Sequence, residues 1–318
     1  MLLEPILGKS LLIRRKGNHT PNLLARIRRV SRGATEVMVK ITGFGKGFTH
    51  IRSHMDYISR NGKNKLETET GETLQGQDSI HDYLDCWKRD ITSSRAYRPS
   101  NRDTMHLVLS MPASVDSESV RKATREFAKE TFNNHAYVFT LHTDAAHPHC
   151  HLSVRMEGFN GKRLNPKKAD LQAWRDAFAE KMREQGIEAE STPRHIRGVT
   201  RKAEKSVIRN IEKQRVSKAR ARKVREAVNE MTGKAVPSQT ICDIEAKAIN
   251  RQRHIRRAWL NTAWQLEAEN PSLAQEIHQM VRNMPVPETE RQQLKRALRE
   301  RFGRQQEQQP ERQEASAG

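Results

Sequence analysis

Apolar positions along the first two thirds of the chain follow two periods. Met105-His-Leu-Val-Leu-Ser110, Tyr137-Val-Phe-Thr-Leu-His142 and His151-Leu-Ser-Val154 are short, partly alternating runs rich in β-branched and apolar residues, which predicts strands. Ile51, Met55 and Ile58 recur at helical spacing, with Thr49 as a candidate N-cap and Asn61-Gly62 as a stop signal. The predicted order is a strand to about Gly43, helix 50–60, a polar loop rich in Gly and Glu, helix 78–90, strand 105–111, helix 116–132, strands 137–143 and 149–156, and helix 170–185. Strands interleaved with helices, two of them adjacent in sequence, predict an α+β fold with a mostly antiparallel central sheet flanked by helices. Beyond Gly186 the pattern is helical, with helices at about 239–268, 272–283 and 287–301 broken by Pro271 and Pro285-Val-Pro287, and with Trp259 and Trp264 expected to bury them against one another. The predicted organisation is a basic flexible arm over 1–36 with a short helix near 22–30, a domain over 37–202, a basic helical region over 203–302, and a disordered Gln-, Glu- and Arg-rich tail over 303–318.

Two of the strands are joined by the densest chemistry in the sequence, His142-Thr-Asp144-Ala-Ala-His147-Pro148-His149-Cys-His151. Side chains two apart on a strand share a face, so His149 and His151 project together while Cys150 faces the other way. If the strands pair antiparallel, His142 joins them, and three imidazoles converge with coordination positions left open, as catalytic metal sites require. Asp144 is then expected to fix a histidine tautomer by a hydrogen bond. His147 has the wrong parity and reads as a loop residue, Cys150 as a small buried hydrophobe. Gly43-x-Gly45-x-Gly47 matches no nucleotide-binding spacing and reads as a flexible turn before the helix that carries Tyr57. Tyr57 lies off the centre of that helix's apolar stripe, on a flank shared with His50, His54 and Asn61.

Charge adds a partner. With 58 Lys+Arg against 38 Asp+Glu, a net charge of +20 and a pI of about 10.2, the chain favours an anionic polymer. Arg194, Arg197, Arg201, Lys202 and the cations that follow to Arg225 are opposed in that stretch only by Glu204 and Glu212, a density suited to DNA contact or protein docking. Tyr97, between Arg95 and Arg98, reads as a half-buried tyrosine, with stacking on a base as the alternative. Three scattered cysteines exclude a disulfide framework, and no apolar run approaches the ~20 residues that cross a bilayer, so no membrane insertion is expected and the bacterial cytoplasm is the expected location.

His142-x-Asp144, Pro148-His149-x-His151 and the upstream Met55-Asp-Tyr57-Ile-Ser-Arg-Asn-Gly62-Lys resemble the DNA relaxases of conjugative and mobilisable elements, in the branch like the T-DNA border endonuclease. The likeness runs from about Val37 to about Lys202 and includes Met105 to Pro112 and Gly161-Lys-Arg-Leu164. It implies a histidine-hydrophobic-histidine nuclease fold, followed here by a helical C-terminal region. It implies site- and strand-specific nicking of a transfer origin by metal-assisted transesterification. Tyr57 matches the nucleophile that becomes linked to the 5′ end, His142, His149 and His151 match the metal ligands, and Asp144 matches the acidic residue. The implied cofactor is a divalent ion, Mg²⁺ or Mn²⁺ or else Zn²⁺. The implied partners are single-stranded DNA at the nick region, an accessory relaxosome protein and a type IV secretion coupling protein, with export to the recipient cell alongside the DNA. The phenol needs a base, for which Asp144 and His54 are both candidates. Ser110 and Arg155 are candidate DNA contacts; many relatives carry asparagine where this chain has Arg155. A tyrosine that precedes the histidine pair argues against the competing replication or transposition nuclease, and the intact tyrosine and histidines argue against a non-catalytic DNA-binding protein of the transfer region.

Overall fold

The computed structural model describes residues 23–94, 98, 101–198, 211 and 215–314, and the chain divides into two compact units between Thr192 and Pro193. The expected boundaries at 202 and 203 lie outside the described residues, as do Tyr97, Arg201, Lys202 and the first 22 residues.

In the first unit, α1 (Leu23–Ser31) and β1 (Thr35–Glu36) precede β2 (Met38–Gly45), α2 (Gly47–Ile58), β3 (Leu66–Thr68), β4 (Thr73–Leu74) and α3 (Gln77–Ser93). There follow β5 (Thr104–Ser110), α4 (Ser117–Thr131), β6 (Tyr137–His142), β7 (His149–Arg155), α5 (Lys168–Glu184) and β8 (Ala189–Glu190). Six strands form one antiparallel sheet in the order β2-β5-β7-β6-β3-β4, while β1 and β8 pair in parallel. Alternation along the three central strands sorts the side chains. Met105, Leu107, Leu109, Tyr137, Phe139, Cys150, Leu152 and Val154 are buried in one core with Phe127 of α4 and Phe178 of α5. The opposite face carries His106, Ser110, Thr140, His142, His149, His151 and Ser153, and the stripe Ile51, Met55 and Ile58 of α2 packs in a second core with Leu84 and Trp87 of α3. The polar loop contains the β3-β4 hairpin, whose strands are too short to leave a periodic signal.

Residues 23–36, expected within a flexible arm, are packed onto the first unit. The short helix expected there is α1, and it is anchored: Arg26 is buried and pairs with Asp176 at 3.1 Å and Glu190 at 3.2 Å, and Arg29 reaches Glu190 at 2.6 Å. Arginines that composition counts only as basic charge are here the counter-ions of a buried carboxylate. The glycine-rich stretch is also tighter than a flexible turn. A Cβ on Gly45 would lie 2.3 Å from Thr104 Oγ1, so the backbone approaches β5 too closely for any other residue. The helix starts at Gly47, two residues before Thr49, and an Asp103 carboxylate oxygen takes the Gly47 N–H at 2.8 Å in place of a Thr49 cap.

The second unit comprises a 3₁₀ turn (Arg194–Arg197), α6 (Lys218–Met231), α7 (Gln239–Leu266), α8 (Pro271–Asn283) and α9 (Glu290–Glu314). Ile255, Ala258, Trp259 and Ala263 of α7 and Leu273, Ala274, Ile277 and Val281 of α8 are buried. Trp259 Nε1 donates to the Ile196 carbonyl at 2.8 Å, whereas Trp264 is 60% exposed and does not help close this core. Arg291 pairs with Glu230 at 2.9 Å and Glu245 at 2.6 Å, tying α9 to α6 and α7. Helix α9 runs to Glu314, past the Gly303 where order was expected to end; Gln, Glu and Arg are strong helix formers. No helix among the described residues is long and apolar enough to cross a membrane.

Candidate metal and tyrosine site

His142 and His149 sit directly opposite one another across the β6-β7 ladder, and His151 follows His149 on the same face. The ring centroids are 5.3 Å apart for His142 and His149, 4.6 Å for His142 and His151, and 5.2 Å for His149 and His151. One nitrogen from each lies within 4.8 Å of the others, so the three can hold a metal ion. The backbone sets which nitrogens are free. His142 Nε2 donates to the Ile58 carbonyl at 2.6 Å, leaving the Nδ1 lone pair, and His149 Nδ1 donates to the His147 carbonyl at 3.0 Å, leaving Nε2. The expected role of Asp144 in fixing the His142 tautomer is therefore taken by Ile58: the Asp144 carboxylate approaches Nδ1 only to 3.9 Å.

The residues fit a metal. His151 Nδ1 is buried with no hydrogen-bond partner, an orphan that a lone-pair acceptor such as a cation relieves. Burial, then the neighbouring His142 and His149, holds His151 down at about 3, and burial also lowers His142, so both imidazoles stay neutral, as ligation requires. Three nitrogen donors and no thiolate leave positions for a substrate oxygen, the arrangement of a catalytic rather than a structural centre.

Around this cluster stand Tyr57, Arg60, Asp144, His54 and His106. Tyr57, on α2, is 55% exposed, and its ring meets His151 edge-on at 5.8 Å. Tyr137 is buried in the core, and Tyr83 donates to Glu69 at 2.8 Å, so neither competes for the site. The chain leaves α2 through three successive left-handed residues, Arg60 (φ 53°), Asn61 (φ 55°) and Gly62 (φ 82°). Gly62 is obligatory, because a Cβ would lie 2.4 Å from the Gln77 nitrogen. This turn throws Arg60 back over the site: its guanidinium carbon is 5.3 Å from the Tyr57 ring centroid, one nitrogen is 3.4 Å from His142 Nδ1, and it pairs with Asp144. The Arg60 hydrogen bond holds the Asp144 carboxyl below its ordinary range. Beneath Tyr57, His54 stacks on His106 at 3.5 Å, and His106 Nδ1 is 3.0 Å from Ser153 Oγ. Burial lowers His54 to about 3 and His106 to about 4, and His54 Nε2 has no partner.

Nothing in the sequence assigns Arg60 a role: it stands inside the Met55 to Lys63 motif, but nothing periodic marks its side chain, and the Asn-Gly that follows is legible only as a helix stop. His106 was hidden inside an apolar strand. Two candidate DNA contacts have partners within the protein. Ser110 is buried and donates to the Pro148 carbonyl at 3.2 Å, bracing the turn that delivers His149, and Arg155 is buried and pairs with Asp90 at 2.8 Å. Arg197 closes the 3₁₀ turn of the other unit and is half-buried. Cys150 is fully buried, as expected of a small hydrophobe.

Residues 57–187 match the model of the relaxase family described as MobA/VirD2-like, nuclease domain. The chain is 27% identical over 211 residues to the T-DNA border endonuclease VirD2 of Rhizobium radiobacter, covering 59% of this chain and 48% of the relative. The namesake proteins of Agrobacterium fabrum and Rhizobium rhizogenes are 25% and 26% identical, over 60% and 52% of this chain and 46% and 42% of theirs. The chain thus spans about half the length, or less, of these curated relatives. A solved structure titled "Molecular Basis of Vancomycin Resistance Transfer in Staphylococcus aureus" aligns over 51% of this chain and 100% of its own at 12% identity and a TM-score of 0.31, too weak a likeness to bear on the site. The match that begins at Tyr57 and encloses all three clustered histidines identifies residues 57–187 as a MobA/VirD2-like relaxase nuclease domain, distantly homologous to the T-DNA border endonucleases.

Proposed function

We propose that this protein is a site- and strand-specific relaxase that nicks the transfer origin of a mobile element through Tyr57 and later rejoins the strand. The observation that carries the reading is the exposed Tyr57 ring set edge-on to His151, in front of three converging imidazoles. His142, His149 and His151 hold a divalent cation, Mg²⁺ or Mn²⁺, which when bound offsets the charge of the scissile phosphate. Tyr57 Oη attacks phosphorus as the bond to the 3′ oxygen breaks; the phenol proton leaves, the 3′ oxygen gains one, and the 5′ phosphate remains on the tyrosine. Asp144 serves by holding Arg60, whose guanidinium stands over the Tyr57 ring where charge develops on the phosphate. Asp144, engaged by Arg60, and His54, on the same helix as Tyr57, are the two candidates to receive the phenol proton. Return attack by a 3′ hydroxyl reverses every step. Accessory and coupling proteins of a type IV secretion system are the partners this reading requires.

The test is incubation with labelled single-stranded oligonucleotides spanning the element's own candidate transfer origin, with Mg²⁺, Mn²⁺ or chelator, resolved on denaturing gels. A metal-dependent adduct on the 5′ end that disappears in Tyr57→Phe is the expected outcome. An adduct that survives in Tyr57→Phe moves the nucleophile elsewhere, and binding without any adduct favours a DNA-binding protein that retains the fold.

A further inference from the structure

We infer that α7 carries a second single-strand binding surface, with Trp264 as a platform for a base and Arg253 and Arg257 as phosphate contacts. Of the chain's four tryptophans, Trp87, Trp174 and Trp259 are 2%, 9% and 1% exposed, and Trp264 is 60% exposed. Burying an indole is strongly favoured, so one left in water on a helix with a well-packed opposite face calls for a partner. Its neighbours supply the chemistry. Between Glu245 and Glu267 the chain has no carboxylate, while Lys247, Arg251, Arg253, Arg256 and Arg257 all lie there. At ~100° per residue, Arg253, Arg257, Asn261 and Trp264 fall within a narrow stripe, and all four are exposed, opposite the buried Ile255, Trp259 and Thr262. Arg256, off that stripe, is bonded to the Met284 carbonyl at 2.8 Å, whereas Arg253 and Arg257 pair with no carboxylate among the described residues. Glu267, one turn past Trp264, ends the cationic stretch.

A row of unpaired guanidinium groups and a side-chain amide leading to an aromatic face is what an anionic, stackable polymer requires, since cations track phosphates while every base offers a π face. Helix α6 lacks this combination. It has no aromatic residue, Lys223 is paired with Glu290 at 2.5 Å, and Arg222 faces Glu226 at 3.6 Å. Duplex DNA hides its base faces, so the surface is for single strands, which extends the nuclease reading but needs no nicking to be tested.

The full chain, in chelator, is titrated with a thymidine oligonucleotide that contains no candidate origin, following tryptophan emission and the anisotropy of an end label. We expect saturable quenching, because Trp264 alone is open to stacking. Trp264→Phe should keep the binding and lose most of the quench, and Trp264→Ala should weaken binding at least about fivefold, the lower limit of base stacking. Arg253→Gln with Arg257→Gln should reduce the slope of log affinity against log salt by about 1.4, at ~0.7 per single-strand phosphate contact. Quenching retained in Trp264→Phe, or unchanged affinity in both the Trp264→Ala and the arginine variants, overturns the proposal. Equal quenching by polyglutamate also overturns it, by assigning the face to an acidic protein. A protein that quenches without nicking loses only the nuclease reading, and one that nicks without quenching loses only this one.

Discussion

The two units use polar side chains in opposite ways. In the first unit five histidines, a tyrosine and an arginine are gathered on one sheet face and its covering helix, and several are buried, with ring nitrogens lacking partners. In the helical unit the cations are numerous, exposed and spread along helices, and the core beneath them is ordinary. The first arrangement sets desolvation and left-handed backbone against stability to hold a few atoms in place. The second leaves solvated charges whose effect scales with their number. A preorganised site should therefore respond sharply to single atoms, and a charged surface should not.

The largest effect belongs to the ligands. His149→Ala or His151→Ala should weaken divalent-metal binding, read by calorimetry, by more than the roughly 10–100-fold that loss of an outer-sphere partner costs. Unchanged affinity in both would place the ion elsewhere. Next comes Arg60. Arg60→Ala should slow adduct formation on the order of 10²-fold, as removal of a charge-stabilising donor does. Arg60→Gly should be equally slow yet more stable than the alanine variant by about 1 kcal/mol, because glycine accepts the φ of 53° without strain. If both variants nick at the wild-type rate, Arg60 has no part in the chemistry.

How much of this was visible before the fold was known depends on whether the information is periodic. Parity on β7 sends His149 and His151 to one face whatever surrounds them, and the apolar face through Leu152 and Val154 fixes that register, so the triad could be read from sequence. The strand and helix order of the first unit could be read for the same reason. Arg60 could not, since its position depends on two consecutive non-glycine residues at positive φ, a tertiary outcome. Nor could the tautomer of His142, which depends on a carbonyl 84 positions away in sequence. Charge misled most. Arg26, in the stretch read as a basic flexible arm, and Arg155, read as a DNA contact, both have carboxylate partners within the protein, which a count of cations does not reveal. Trp264 misled in the other direction, an apolar residue assigned to a core it does not enter.

The pH response should separate the units next. His54 and His106 are held near 3 and 4, below the ordinary 6.5, so between about pH 6.5 and 4 the unfolded chain takes up protons that the native first unit refuses. Stability is complete above that window and is lost as pH falls through it, at up to ~1.4 kcal/mol per pH unit for each such histidine. Hydrogen exchange of β5 amides should accelerate on acidification more steeply than that of α8 amides, and His106→Gln should flatten the β5 response. Parallel acceleration in both units would mean that these histidines do not set the acid limit.

The smallest effect should be that of one charge on the helical unit. Arg222, 72% exposed and 3.6 Å from Glu226 on the same helix, forms the kind of surface pair worth ~0.3–0.5 kcal/mol. Arg222→Gln should leave oligonucleotide quenching of Trp264 intact and change the salt slope by no more than about 0.7, one phosphate's share. A tenfold loss of affinity from that single substitution would mean that α6, like the histidine face, holds a fixed geometry, and the contrast between the two units would then be one of degree.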